Sequence, residues 1–226
     1  MYPGKWAREF PDKPAVVEAT SGAEVSYREL DDRSNRLAQL MWDAGLRPGD
    51  HVAVFMENHL RYFEVVWAAM RSGLYLTTVN RYLTGEEAGY IVDDCEARVL
   101  VTSAKLAEVA RELPACAPRC ERWLMVDGTA PGFESYESAI AGFPAEPLAD
   151  EPAGQFMLYS SGTTGRPKGI VRPLTGMKIH EDAGPVGALQ RALWNFDEST
   201  VYLSPAPLYH SAPMGFTTAT IALGGT

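Results

Sequence analysis

The chain has 226 residues, of which 46% are hydrophobic and 22% charged, so it is long enough for a sizeable core and too apolar to be globally disordered. Its net charge of −9 argues against a general nucleic-acid binder, which needs a basic surface to displace counterions, while leaving room for a local cationic site for a small polyanion. No stretch approaches the roughly 20 apolar residues of a membrane helix. "MYPGKWAREF" has no apolar run behind its charges, and three cysteines (Cys95, Cys116, Cys120) are too few and odd for a disulfide framework. A soluble, reduced, cytoplasmic protein is expected.

In chain order, "PAVVEA" (14–19) reads as a strand. A helix follows over 26–45, with Ser26 and Glu29 forming a capping box and Leu30, Leu37, Met41 and Ala44 on one face. Gly45 ends it, "RPGD" (47–50) turns, and "HVAVFM" (51–56) reads as a buried strand. Asn58 is expected to open a helix reaching about Gly73. Strands at 74–79, 97–103 and 122–127 alternate with helices at 84–95, where Thr84 and Glu87 form a second capping box, and at 104–114. This alternation predicts an α/β fold with mostly parallel sheets flanked by helices, and no fixed-period repeat is present.

"FPAEPLADEPAG" (143–154) reads as a linker or surface connection, dividing a first α/β unit, 1–150, from the start of a second, 151–226. "QFMLYS" (155–160) is a strand that runs into "YSSGTTGRPKGI" (159–170). "TVYLSPAPLYHSAPMGF" (200–216) predicts a strand, a proline-broken turn carrying His210, and a helix to Leu223.

The glycine loop has the parts of a phosphate cradle. Gly162 and Gly165 let backbone N–H groups converge on an anion, Ser160, Ser161, Thr163 and Thr164 offer hydroxyls, and Lys168 adds a point charge with Arg166 and Arg172 nearby. It is not a Walker loop, because Arg166 and Pro167 separate the last glycine from the lysine and Gly169 follows it. A mobile polar hairpin is the plain alternative for such a composition, and the ordered string ending in Lys168 weighs against it.

"YSSGTTGRPKG" resembles the phosphate-binding signature of the adenylate-forming superfamily, which includes acyl-CoA synthetases, adenylation domains of peptide synthetases and luciferases. "SYREL…NRLAQLMWDAGLRPGDHVAVFMEN", "NRYLTGEEAGYIVDDCEARVLVTS" and "PLYHSAP" resemble further segments of the same enzymes, so the resemblance runs through essentially the whole chain. It implies the two-subdomain N-terminal portion of such an enzyme. It also implies a two-step reaction: a carboxylate attacks the α-phosphate of ATP to give an acyl-adenylate, and a thiol, usually that of coenzyme A, displaces AMP.

On this resemblance, Ser160, Ser161, Gly162, Thr163, Thr164, Gly165 and Lys168 match the loop that wraps the β- and γ-phosphates. Ser160 takes the position that can help coordinate Mg²⁺. His210 matches the histidine or aromatic residue beside the acyl site, with a structural histidine as the alternative; Tyr209 is expected to pack. The segment after Lys168 carries Arg172-Pro173 where many relatives have Thr-His, which makes the likeness closest to CoA ligases for fatty or other hydrophobic acids.

The superfamily's later motifs, for the Mg²⁺-binding glutamate, the ribose-binding aspartate, the hinge and the C-terminal lysine, have no counterpart before Thr226, so the mobile C-terminal domain that the resemblance implies is expected to be absent from these 226 residues. The expected reading is therefore the N-terminal part of a longer ATP-dependent acyl-CoA synthetase, inactive alone. A carrier-protein-loading adenylation domain or a truncated, non-catalytic nucleotide- or partner-binding chain are the alternatives. A homo-oligomer is left open.

Other candidates are expected to be structural. His51 and His59 sit at element starts. His180, in "KIHEDAGP", lacks the second histidine of a zinc motif, and Cys116 and Cys120 have no companion pair. The carboxylates of helices 26–45 and 84–95 read as solvated faces, and Phe63 and Trp67 as core.

Overall fold

The computed structural model describes residues 2–160, 166–181 and 184–226. A short helix α1 (Pro3–Glu9) leads into the antiparallel hairpin of β1 (Pro14–Val17) and β2 (Glu24–Ser26). Helix α2 (Tyr27–Asp43) begins at the expected capping box: Ser26 accepts from the Glu29 N–H, and the Glu29 carboxylate accepts from the Ser26 N–H. Strand β3 (His51–Phe55), helix α3 (Tyr62–Arg71), strand β4 (Tyr75–Val79), helix α4 (Gly85–Asp94) and strand β5 (Ala97–Ser103) follow.

Two deviations from expectation fall in the next stretches. The single helix expected over 104–114 is two short helices, α5 (Ala107–Ala110) and α6 (Leu113–Cys116), after a 3₁₀ turn. Pro114 has no N–H to donate inside a helix and sits in the first turn of a new one. Helix α3 begins at Tyr62, not at Asn58, whose side chain is engaged elsewhere, as described below.

Strand β6 (Arg122–Val126), a two-residue strand β7 (Glu134–Ser135) and helix α7 (Tyr136–Ala141) complete this part. Then come strand β8 (Gln155–Ser160), strand β9 (Lys168–Ile170), helix α8 (Gly184–Trp194) and helix α9 (Ser211–Ala222). The strand expected near 200 does not form. Only Thr200 and Tyr202 bond backbone to backbone with Thr226, and Val201 and Leu203 stay exposed, because a strand needs a partner along its whole length.

Seven strands make one sheet in the order β7-β6-β5-β3-β4-β8-β9, parallel throughout except for the antiparallel β8–β9 pair. Strand β8, from beyond residue 150, pairs with β4, so strands from both sides of that position share the sheet. Alternating strand residues feed two cores. Val52 and Val54 face α2, α3 and α7 through Leu37, Val65 and Ile140. Ala53 and Phe55 face α4, α5 and α6 through Ile91, Ala110 and Leu113.

The two ends of the chain are tied together. Trp6 Nε1 donates to the Ala222 carbonyl at 2.9 Å, and the buried Tyr27 hydroxyl lies 2.6 Å from the Gly225 carbonyl. Among the described residues no helix is long and apolar enough to cross a membrane.

Candidate functional site

The expected phosphate loop begins at the carboxyl end of β8, the end at which open parallel sheets hold their ligands. Its described ends are held opposite one another. Strands β8 and β9 pair Leu158 with Ile170, Tyr159 with Gly169 and Ser160 with Lys168. The Ser160 hydroxyl lies 3.5 Å from the Lys168 carbonyl. Both side chains are exposed, and the Lys168 ammonium has no ion-pair partner among the described residues. Ser161, Gly162, Thr163, Thr164 and Gly165 lie outside the described residues.

Gly169 lies in close quarters, where a side chain would displace the flexible end of Met157. A Cβ there would lie 2.3 Å from the end of the Met157 side chain and 3.2 Å from the Tyr159 ring. The two arginines beside the loop part company. Arg166 stacks its guanidinium 4.8 Å from the Tyr90 ring centroid, whereas the exposed Arg172 lines a neighbouring cavity, its carbonyl accepting from the Tyr75 hydroxyl at 2.9 Å.

His210 stands at the N-cap of α9 with extended backbone and makes no side-chain capping bond. Its turn is held from two strands. The Asn58 amide, just after β3, donates to the Ala206 carbonyl at 3.0 Å and accepts from the Leu208 N–H at 2.9 Å. Thr78, on β4, donates its hydroxyl to the Tyr209 carbonyl at 2.9 Å. Tyr209 and His210 lie ring against ring, with centroids 4.4 Å apart.

A cavity of about 640 Å³ lies between the β8–β9 strands, α8 and α9, and both Ser160 and His210 line it. Trp67, Met70, Phe156, Ile179 and Ala219 supply apolar wall, and Arg172 sits among the lining residues, with no Asp or Glu in the lining among the described residues. Lys168 is not among them; it stands at the hairpin neck beside Ser160. Trp67 is thus both buried, as expected of core, and part of this wall.

The carboxylates expected to be merely solvated are in several cases partnered. Asp31 pairs with the buried Arg71 at 2.7 Å, Asp93 with Arg119 at 3.8 Å, and Asp94 accepts from the Tyr159 hydroxyl at 2.6 Å. The helix pattern of those segments shows which face is polar but not which distant residue meets it. The contacts made by Asn58, Thr78, Tyr90, Asp94 and Tyr159 are not readable from the sequence, since each joins separate elements.

The remaining polar candidates behave structurally. His51 stacks on Tyr75 with ring centroids 4.8 Å apart, and His59 lies 3.0 Å from an Asp127 carboxylate oxygen. Burial pushes the Cys95 thiol up to about 11 and Cys120 up to about 12, which keeps both as poor nucleophiles near neutrality. Among the described residues no group of three or more His, Cys, Asp or Glu could hold a metal ion.

This α/β fold, with Ser160 and Lys168 paired at a strand's carboxyl end and Ser160 lining an apolar cavity, is that of an adenylate-forming enzyme's N-terminal portion. The chain belongs to the AMP-binding enzyme family, whose description matches residues 4–226. It is 33% identical over 165 residues to the fatty acid–[acyl-carrier-protein] ligase ScoC of Streptomyces coeruleorubidus, an alignment covering 73% of this chain and 31% of that protein. It is 32% identical over 176 residues to the 3-oxocholest-4-en-26-oate–CoA ligase of Rhodococcus rhodochrous, covering 74% and 30% respectively. The solved structure of ATP-bound MatB from Rhodopseudomonas palustris superposes with a TM-score of 0.71 at 26% identity, over all of this chain and 44% of that one. The chain thus spans about a third of the length of these curated relatives.

Proposed function

We propose that the chain is the ATP- and acid-binding portion of an AMP-forming acid–thiol ligase. In this reading a fatty or other hydrophobic carboxylic acid is activated as acyl-AMP and passed to coenzyme A. The observation that carries the reading is the sharing of Ser160: it is the ladder partner of Lys168 and lines the same apolar cavity as His210. A nucleotide phosphate and an acid carboxylate would therefore meet at one point, which is what adenylate formation requires.

Lys168 and the loop donors from Ser160 to Gly165 would hold the β- and γ-phosphates and offset the charge that grows on pyrophosphate as it leaves. Their fit to a polyanion is supported by the exposed Lys168, whose ammonium has no ion-pair partner among the described residues. The exposed Ser160 hydroxyl would offer Mg²⁺ one oxygen. The rest of a hard cation's oxygen shell would fall to phosphate and water, as is usual for this ion. His210 would sit beside the acid's carboxylate, and the walls formed by Trp67, Met70 and Phe156 would hold its apolar part. A cavity of about 640 Å³ is of the size that takes a small organic acid.

A division into a first unit, 1–150, and the start of a second, 151–226, would follow the 143–154 connection, with β8 and β9 joining the sheet of the first unit across that boundary. A carrier protein as thiol acceptor is the second reading, favoured by the likeness to an acyl-carrier-protein ligase.

The test is thermal unfolding of the 226-residue chain with Mg-ATP and with a non-hydrolysable acyl-adenylate mimic. A ligand of the folded state must raise the melting temperature, by an amount equivalent to about 2.7 kcal/mol at one hundred times Kd. The reading expects a rise with both compounds and no acyl-CoA formed by the 226-residue chain alone. No rise with either compound would sink it. Free coenzyme A against a phosphopantetheinylated carrier protein, offered to a full-length relative of this chain, separates the two acceptors.

A further inference from the structure

Helix α4 ends with two carboxylates, Asp93 and Asp94, and no basic residue in its last turn. Negative charge at a helix C-terminus opposes the helix dipole, so this arrangement works against the helix itself. Asp93 is answered by Arg119 at 3.8 Å. Asp94 makes no ion pair among the described residues; two phenols reach it instead. The Tyr159 hydroxyl donates to Asp94 Oδ2 at 2.6 Å. The Tyr90 hydroxyl lies 3.4 Å from Asp94 Oδ1 and 3.3 Å from the Pro167 carbonyl, so its single proton serves one acceptor at a time.

These contacts reach both strands of the hairpin that carries the glycine loop. Tyr159 precedes Ser160 on β8, and Pro167 precedes Lys168 at the start of β9. The Tyr159 ring also lies 3.2 Å from the place a Gly169 side chain would occupy, and Arg166 rests on the Tyr90 ring. Each grip is one residue away from a group expected to bind phosphate. A local arrangement that disfavours its own helix, yet meets both ends of one loop, is the mark of a part retained for what it positions.

We infer that Tyr159, Asp94 and Tyr90 are positioning residues for the phosphate loop, with the last turn of α4 fixing the spacing of Ser160 and Lys168. The inference rests on the phosphate-binding reading above. Asp94 acts here as a fixed acceptor for the Tyr159 hydroxyl, with the Tyr90 hydroxyl shared between it and the Pro167 carbonyl, and touches no substrate. Burial, reinforced by Asp94, holds the Tyr159 phenol above its ordinary value, so it stays a proton donor at neutral pH.

The test uses the 226-residue chain with Tyr159→Phe, Asp94→Asn, the double variant, and Tyr90→Phe. Tyr159→Phe keeps the ring against Gly169 and removes only the hydroxyl. Mg-ATP affinity is measured by calorimetry, and amide exchange by mass spectrometry on peptides covering 157–160 and 167–171. The expected result is a five- to tenfold loss of affinity, of the order that one hydrogen bond supplies, for Tyr159→Phe and for Asp94→Asn. The double variant should be no weaker than the worse single one, because Tyr159→Phe removes the bond that Asp94→Asn weakens by taking the charge from its acceptor. Exchange should rise in the hairpin peptides while the ligand-free melting temperature holds, which a merely structural role would not produce. Tight wild-type binding with unaltered variant affinity and exchange overturns this inference alone. Absence of Mg-ATP binding by the wild type overturns the phosphate reading and this inference with it.

Discussion

Ser160 and Lys168 face one another in the β8–β9 ladder, with the Ser160 hydroxyl 3.5 Å from the Lys168 carbonyl. The register holds two expected phosphate contacts at a set distance while both side chains stay exposed. Lys168→Ala should therefore separate binding from folding. Loss of one bond between charged groups predicts Mg-ATP affinity lower by about ten- to a hundredfold. The melting temperature without ligand should hardly change, since surface substitutions of this kind shift stability by about 0.5 kcal/mol or less. Calorimetric titration beside a thermal scan reads both quantities, and unchanged affinity would remove Lys168 from the site.

Asn58 holds the His210 turn through both faces of its amide, at 3.0 Å and 2.9 Å. Asn58→Ala should destabilise the chain by about 1–2 kcal/mol, the sum of one exposed and one part-buried hydrogen bond. Because those bonds fix the turn that presents His210, it should also weaken binding of an acyl-adenylate mimic, as His210→Ala should, while Mg-ATP affinity changes less. Parallel titrations with the two ligands decide this. Equal losses for both would mean that Asn58 supports the fold and not the acid side of the site.

Glu64 has no exposure, and it receives Arg61 at 2.8 Å, Arg33 at 3.3 Å and the Tyr136 hydroxyl at 2.9 Å. Burial pushes its carboxyl from an ordinary 4.5 up to about 8. The folded state therefore keeps a proton that the unfolded chain gives up at lower pH. This contribution to stability is full below about 4.5 and is lost as pH rises through about 8. Glu64→Gln, which cannot titrate, should flatten the fall in melting temperature over that window. An identical slope in the variant would assign the dependence to other groups.

Gly224 closes α9 in a Schellman motif. Its N–H donates to the Ile221 carbonyl and the Gly225 N–H to the Thr220 carbonyl, both at 3.0 Å, with Gly224 φ at +92°. A side chain there would also lie 2.7 Å from the Trp6 indole, which itself bonds to Ala222. Gly224→Ala should destabilise the chain by about 2–4 kcal/mol, backbone strain and overpacking acting together. Urea unfolding followed by Trp fluorescence would measure it. A loss under about 0.5 kcal/mol would show that the two chain ends adjust freely.

The alternation of strands and helices from His51 to Val126, the two capping boxes at Ser26 and Thr84, and the strand that feeds the glycine loop were legible in the chain, because hydrophobic period and capping chemistry are local properties, whereas the short elements α1, β2, β7, α7 and β9 were not. So was the family, carried by the ordered string from Tyr159 to Gly169. Helix boundaries were less legible where a residue's best partner lay far along the chain. Asn58 has the composition of a helix start, yet it bonds to Ala206 and Leu208, and the extended run at 201–203 found no strand to pair with.

The site divides in the same way. Which residues can bind phosphate follows from their chemistry and was readable from Ser160 and Lys168 by themselves. That these two stand opposite each other, that Ser160 and His210 line one cavity, and that Asp94 reaches Tyr159 from another element were decided by tertiary structure. Side-chain chemistry is set residue by residue, but a distance across 50 or 65 positions exists only once the sheet has brought its strands together.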